Sequence, residues 1–332
     1  MIVIGLLIIS FSIRLFGSTD KKKELIRFLK KIFRNTYKVS KKSDLEYSLG
    51  KYKIILPNNH VLKTYQNAYP LYDRFLPILC ADFDGLIIDI GANIGDSSIA
   101  IFSRNSKSFI LGVEPDNMFY KECVNNVFRN GLKERFLGVN KFISTTKAKF
   151  SIEKSYTNST GTISTENDES GEVNSISFSE LLELIPLEKR KKIDIVKIDT
   201  DGFDWDIINS FLQNYHEVKI KSRFVFFEMQ TYLNNYGVNH SNRKQIVKDY
   251  KSSIEGLKEI GYNNFLLLDN FGTPIKITKS IDEILEINDY ILRSQIYNSH
   301  SAIYYIDIVT FGDVELEYVN MAISNLYKII KT

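Results

Sequence analysis

From Leu86 onward, short apolar runs rich in Ile, Val and Phe alternate with longer stretches whose apolar residues recur at helical spacing. That alternation predicts βαβ units and a mostly parallel sheet covered by helices on both faces. Seven runs read as strands: Leu86 to Ile90, Phe109 to Glu114, Gly138 to Ser144, Ile193 to Asp199, Phe224 to Met229, Phe265 to Leu268 and Ile303 to Val309. The expected fold is a three-layer α/β sandwich. Between the third and fourth runs, Glu153 to Ser175 is dominated by Ser, Thr, Asn, Glu and Gly, with little to bury, and is expected to be a mobile excursion. Ser177 and Glu180 then stand at capping-box spacing ahead of Leu181, Leu182 and Leu184, which predicts a helix start.

The N-terminus has a different pattern. Ile2 to Ile13 is apolar apart from Ser10 and Ser12, and Leu25, Ile26, Phe28, Leu29, Ile32 and Phe33 recur at helical spacing among lysines and arginines. A dozen residues at about 1.5 Å each cover roughly 18 Å, short of a ~30 Å hydrocarbon core. Residues 1–40 therefore read as an apolar and basic amphipathic segment. It suits an anionic membrane surface at residues 1–38, or equally a helix packed on the protein with its lysines in water. Residues 41–83 read as an N-terminal cap, 84–311 as the main domain and 312–332 as a C-terminal helix.

Composition adds exclusions. The 43 Lys and Arg nearly balance 40 Asp and Glu, giving a net charge of +3 and no global footprint for nucleic acid. Cys80 and Cys123 follow no metal spacing and are too few for a disulfide framework, so they read as buried thiols in a reducing, cytoplasmic compartment.

Candidate chemistry begins at Leu86-Ile-Ile-Asp89-Ile-Gly91-Ala-Asn93-Ile-Gly95-Asp96, a strand running into a glycine-punctuated turn. Glycine lets backbone approach a ligand closely. A pyrophosphate would want G-x-G-x-x-G, whereas here Asn93 stands within G-x-x-x-G. Asp89 at the strand end is a poor neighbour for phosphate and a good one for an ammonium or sulfonium. Glu114, 23 residues after Gly91, comes close to the spacing at which an acid accepts hydrogen bonds from a ribose. Together these imply an adenosyl group with a cationic tail.

The segments DIGANIGDSS and GVEPD, with YPLYDRFLP at Tyr69 to Pro77, IVKIDTDGFDWDII at Ile195 to Ile208 and FFEMQTY at Phe226 to Tyr232, resemble FkbM-family methyltransferases over roughly Lys51 to Phe311. The resemblance implies a class I methyltransferase (Rossmann-like) sheet with six parallel strands and an antiparallel last one, and S-adenosyl-L-methionine as methyl donor. Carried over by motif, Asp89, Gly91, Asn93 and Gly95 would hold the methionine part, Glu114 the ribose, and Asp116 the adenine side, with Ser144 a weaker candidate there. The family pattern KIDVEGxE reads KIDTDGFD here, so Asp201 and Asp204 replace two glutamates with shorter carboxylates.

Methyl transfer to a hydroxyl needs alignment and a proton acceptor. Ligands bind at the carboxyl ends of parallel strands, so Asp199, Asp201 and Glu228 are the expected catalytic carboxylates. His240, in a Tyr- and Asn-rich stretch, is added as a base, and His60 is an alternative. Asp201 could instead cap the next helix, and Asp199 could pair with Lys197. Carboxylates also suit Mg²⁺, but no residue is assigned to a metal and the ion is not favoured. Tyr65, Tyr69, Tyr72 and Arg74 suit a sugar or an anionic acceptor, or the packing face of a capping helix. The expected activity is O-methylation of a sugar hydroxyl in a surface glycan or glycolipid. Two alternatives stay open: a catalytically degenerate binding protein of the same fold and a nicotinamide-dependent nucleotide-sugar enzyme, the latter disfavoured by the missing pyrophosphate loop.

Overall fold

A computed structural model describes residues 44–57, 60–150, 152–154, 161–163, 173–231, 240–298 and 303–329. The amphipathic segment 1–40 lies outside the described residues, as does most of the polar excursion. Leu45–Thr332 forms one compact unit.

The central sheet has eight strands: β1 (Leu86–Ile90), β2 (Phe109–Val113), β3 (Phe136–Val139), β4 (Ile193–Ile198), β5 (Phe224–Met229), β6 (Asn264–Asp269), β7 (Pro274–Thr278) and β8 (Ile306–Phe311). Their spatial order is β7-β6-β8-β5-β4-β1-β2-β3. Strands β1 to β5 pair in parallel, while β8 runs antiparallel between β5 and β6. Six strands therefore share one direction and the last strand opposes them, as expected. The eighth strand was not expected. It arises because Asp269 Oδ1 accepts the Phe271 and Thr273 amides at 2.9 and 2.8 Å, Gly272 takes φ +82°, and the chain folds back as an edge strand beginning at Pro274.

The third strand is shorter than the expected Gly138 to Ser144. Asn140 Nδ2 donates to the Glu114 and Pro115 carbonyls, both at 2.8 Å, which turns the chain away. Phe142–Ile143 then pairs with Val173–Ile176 in a separate small sheet. Within the excursion, Ile152–Lys154 and Gly161–Ile163 form an antiparallel ladder.

The alternation along β1 explains the layering. Leu86, Ile88 and Ile90 face one apolar cluster and Ile87 the other. The first cluster is completed by α3 (Asp204–Val218), α4 (His240–Glu259) and α5 (Ile281–Arg293), the second by α1 (Asp96–Arg104), α2 (Asn117–Arg129) and α6 (Leu316–Lys328). The expected capping box forms, with Ser177 and Glu180 exchanging bonds at the start of Phe178–Glu183. Over the second face lies a cap made of the hairpin Leu45–Leu49 and Tyr52–Leu56 and the helices Leu62–Ala68 and Phe75–Leu79. Asn126 of α2 and Asn130 at its C-cap hold the hairpin's edge, accepting the Ile55 and Lys53 amides at 2.8 and 3.1 Å. Among the described residues no helix is long and apolar enough to cross a membrane.

Candidate active site

A cavity of about 350 Å³ opens along the carboxyl edge of the sheet, spanning the switch point where the order reverses between β1 and β4. The ends of β2, β1, β4 and β5 border it in that order, through Glu114, Gly91, Asp199 and Glu228. The N-terminal cap closes one side with Tyr65 and Tyr72.

At the β1 end the turn is built from three left-handed residues, Gly91 (φ +78°), Asn93 (φ +47°) and Gly95 (φ +84°). A Cβ at Gly91 would lie 1.8 Å from the Asp199 carbonyl oxygen, so glycine here lets the first loop nest against β4 as well as admit a ligand. Gly95 serves packing: its Cβ would sit 3.0 Å from Cys123 Sγ on α2, and it does not border the cavity. Gly91 and Asn93 do border it.

Glu114 is 7% exposed and held in place by backbone donors, with Asn93 N–H on Oε2 and Asp116 N–H on Oε1, both at 2.8 Å. Burial pushes its carboxyl up to about 8 against the pull of those two bonds. It borders the cavity with its orientation set.

The remaining cofactor candidates are used by the fold. Asp89 is fully buried beneath the cavity, taking Ser98 Oγ at 2.6 Å and Lys197 Nζ at 3.0 Å. The cation beside it is Lys197 of the neighbouring strand β4, and Asp89 itself does not border the cavity. Asp116 caps α2, its Oδ1 accepting from Met118 and Phe119 at 2.7 and 3.1 Å, and is not among the residues bordering the cavity. Ser144 accepts the Thr146 amide at 3.1 Å in the small sheet, also away from the cavity. In both cases a short polar side chain next to a strand end satisfies its own turn.

At the other end, β4 runs out through Asp199, whose carboxylate is half exposed and 3.3 Å from Lys197 Nζ. Lys197 also donates to the Gly91 carbonyl at 3.0 Å and is 3% exposed, so this cation is committed to the floor. Asp201 sits at φ +53° and borders the cavity; burial first, then Asp199 and Asp204, raise it to about 7. It does not cap α3, whose N-cap is Phe203 without a side-chain bond. Asp204 is a staple: Oδ1 accepts Thr200 N and Oγ1 at 3.0 and 2.6 Å, and Oδ2 accepts Glu228 N at 2.8 Å.

Glu228 is 5% exposed, with Gln230 Nε2 donating to its Oε1 and Tyr250 Oη to its backbone carbonyl at 2.9 Å. Burial, then Asp199, Asp201, Asp307 and Asp204, hold its carboxyl well above the usual range. Three cavity carboxylates escaped the sequence reading: Asp73, Asp96 and Asp307. For Asp307 a signal existed, since a lone acid inside the apolar run IDIVTF is conspicuous in a central strand. His240 begins α4, but its side chain lies outside what the structure describes. His60 borders the cavity; its Nδ1 accepts the Leu62 amide at 3.3 Å, which puts the neutral ring's proton on Nε2 and makes it a donor rather than a base there. Among the described residues no group of three His, Cys, Asp or Glu has metal-binding geometry.

Distant structural likenesses include an O-methyltransferase from Bacillus cereus in complex with SAH (14% identity, TM-score 0.38, covering 76% of this chain and 88% of that one). Others are a proposed caffeoyl-CoA O-methyltransferase from Staphylococcus aureus (14%, 0.39, 76% and 91%) and precorrin-6y C5,15-methyltransferase from Geobacter metallireducens (12%, 0.34, 71% and 84%). No curated protein matches the sequence. The methyltransferase FkbM domain model matches residues 89–254, half of the chain, from the buried aspartate of β1 into α4 and across both carboxylate-bearing strand ends. The chain belongs to the FkbM methyltransferase family.

Proposed function

We propose that this chain transfers a methyl group from S-adenosyl-L-methionine to a hydroxyl, on a sugar of a surface glycan or glycolipid. The observation that carries the reading is a single cavity joining Gly91, Asn93 and Glu114 at one end to Asp199, Asp201 and Glu228 at the other. A carboxylate oriented by two amides suits a ribose diol. The one lysine among the described residues bordering the cavity is already paired, so the surroundings favour a cationic cofactor over a pyrophosphate, which supports the sulfonium donor against a nicotinamide dinucleotide. S-adenosyl-L-methionine supplies the electrophilic methyl when bound.

The chain's part is to hold the acceptor in line, exclude water and take a proton. Glu228 is the proposed proton acceptor, with Asp199 and Asp201 beside it. Tyr65 and Tyr72, with Tyr69 stacked on Phe271 at 3.9 Å between ring centres, form an aromatic wall suited to a sugar face. The cytoplasmic face of a membrane is the proposed location, with residues 1–38 touching anionic lipid; their deletion should release the protein from anionic vesicles, and unchanged partitioning refutes that part.

The decisive experiment incubates the protein with methyl-labelled cofactor and fractionated glycan and glycolipid extracts. Label in a glycan hydroxyl is the expected result, and Glu228→Gln should slow it about 100-fold or more while SAH binding is retained. Binding of NAD in place of SAH overturns the reading, and SAH binding without transfer to any glycan overturns the acceptor class.

A further inference from the structure

In the β5·β8 ladder Glu228 stands directly opposite Asp307. Paired residues of an antiparallel ladder share a sheet face, with Cβ atoms about 4.5–5.5 Å apart, and both border the cavity. Like charges so placed destabilise a sheet unless something separates or neutralises them. The surroundings supply little relief. Facing this pair are Asp199 and Asp201 from the end of β4, Asp204 from α3, Asp73 and Tyr72 from the cap, and Tyr305 just before β8. Lys197 is the nearby cation, and Asp89, Asp199 and the Gly91 carbonyl already engage it.

The position of Glu228 is nevertheless tightly set. Asp204 holds its N–H, Tyr250 its carbonyl and Gln230 one carboxyl oxygen. A carboxylate fixed this firmly against a second one cannot relieve the repulsion by swinging away. A shared proton relieves it.

Resting on the proposed hydroxyl methylation, we infer that Asp307 is a positioning residue that shares one proton with Glu228, so that the pair, as a monoanion, is the proton acceptor of the reaction. The acceptor O–H bond breaks, the oxygen's electron pair forms the new C–O bond, and the C–S bond breaks with its pair staying on sulfur. The proton joins the Glu228 carboxylate, leaving the pair neutral until it is lost to solvent. Burial raises both carboxyls, and mutual repulsion opposes loss of the last proton, which keeps one proton in the pair at neutral pH and leaves one negative charge to accept the substrate's proton.

The test needs no acceptor. In protein labelled with ¹³C at Asp and Glu carboxyls, Glu228 and Asp307 should titrate in two shared steps, and in Asp307→Asn Glu228 should titrate in one step at least one pH unit below the upper of the two. Asp307→Glu, which restores a carboxylate, should bring back the two-step curve, and SAH binding reports that each variant is folded. A Glu228 titration unchanged by Asp307→Asn overturns the inference. Methyl transfer gives a second readout: the acid limb of the pH–rate profile follows the pair's first step and should move up to the single Glu228 step in Asp307→Asn, with KM for the cofactor unchanged. If Glu228→Gln still turns over normally, the base assignment falls instead, whatever the titration shows.

Discussion

The two ends of the cavity treat their carboxylates in different ways. Around the β1–β2 end Glu114 has two backbone amides, Asp89 beneath the floor has Lys197 and Ser98, and Asp116 has the first turn of α2. At the β4–β5–β8 end Asp201, Glu228 and Asp307 face one another, and burial raises all three. Satisfied charges make a rigid receptor, because moving any of them breaks good hydrogen bonds. Crowded charges make a reactive surface, because a proton or a cation entering there relieves repulsion. Binding and chemistry are thereby separated along one groove.

The contrast breaks most visibly at Lys197, the cation beneath both ends. Lys197→Met leaves Asp89 buried and unpaired, and chemical denaturation should show a loss of about 3–5 kcal/mol. A loss below about 1 kcal/mol would mean that Asp89 is neutral in the fold and that the receptor end is not built on a salt bridge.

A smaller effect is expected at Glu114. In Glu114→Gln one of the two backbone amides meets an NH₂ group, and the carboxylate's acceptor strength is lost. Calorimetry with SAH should show affinity falling by about 1.5–3 kcal/mol, with a much smaller change in melting temperature. Equal losses in both would make Glu114 a structural residue.

The smallest concerns pH. Asp201 has a folded pKa of about 7, above an unfolded value of about 3.9, so its contribution to stability is fully present below about pH 4 and is lost as pH rises through 7. Asp201→Asn, which also tolerates the left-handed backbone, should therefore melt higher than wild type by more at pH 8 than at pH 4, at roughly 2–4 °C per kcal/mol. A pH-independent difference would show that Asp201 is not crowded.

The strands were legible because each is a dense apolar run, and the glycine turn because Gly91 and Gly95 punctuate it. The extra strand β7 was passed over since Pro274 and Lys276 hide it: Pro-Ile-Lys-Ile-Thr has an edge strand's polarity rather than a core strand's. At the site, Glu114, Asp199, Asp201 and Glu228 could be found because they end or follow strands in the expected order. Asp116 and Ser144 do not border the cavity, because each is engaged by hydrogen bonding within its own turn, which a motif does not reveal. Asp307 was missed because β8 runs the other way, which brings the start of that strand to the cavity. A rule that searches only carboxyl ends cannot reach it.

The nesting of Gly91 on the Asp199 carbonyl has a consequence for how such a protein can diversify. The donor loop and the β4 terminus are locked in register by a contact that admits no side chain, and Asp204 ties β4 to β5 in turn. The floor therefore behaves as a single casting, and in the proposed reaction acceptor preference is left to the parts around it, the helices of the cap and the turn between β6 and β7. Exchange of those two pieces between relatives is the economical way to retarget the enzyme.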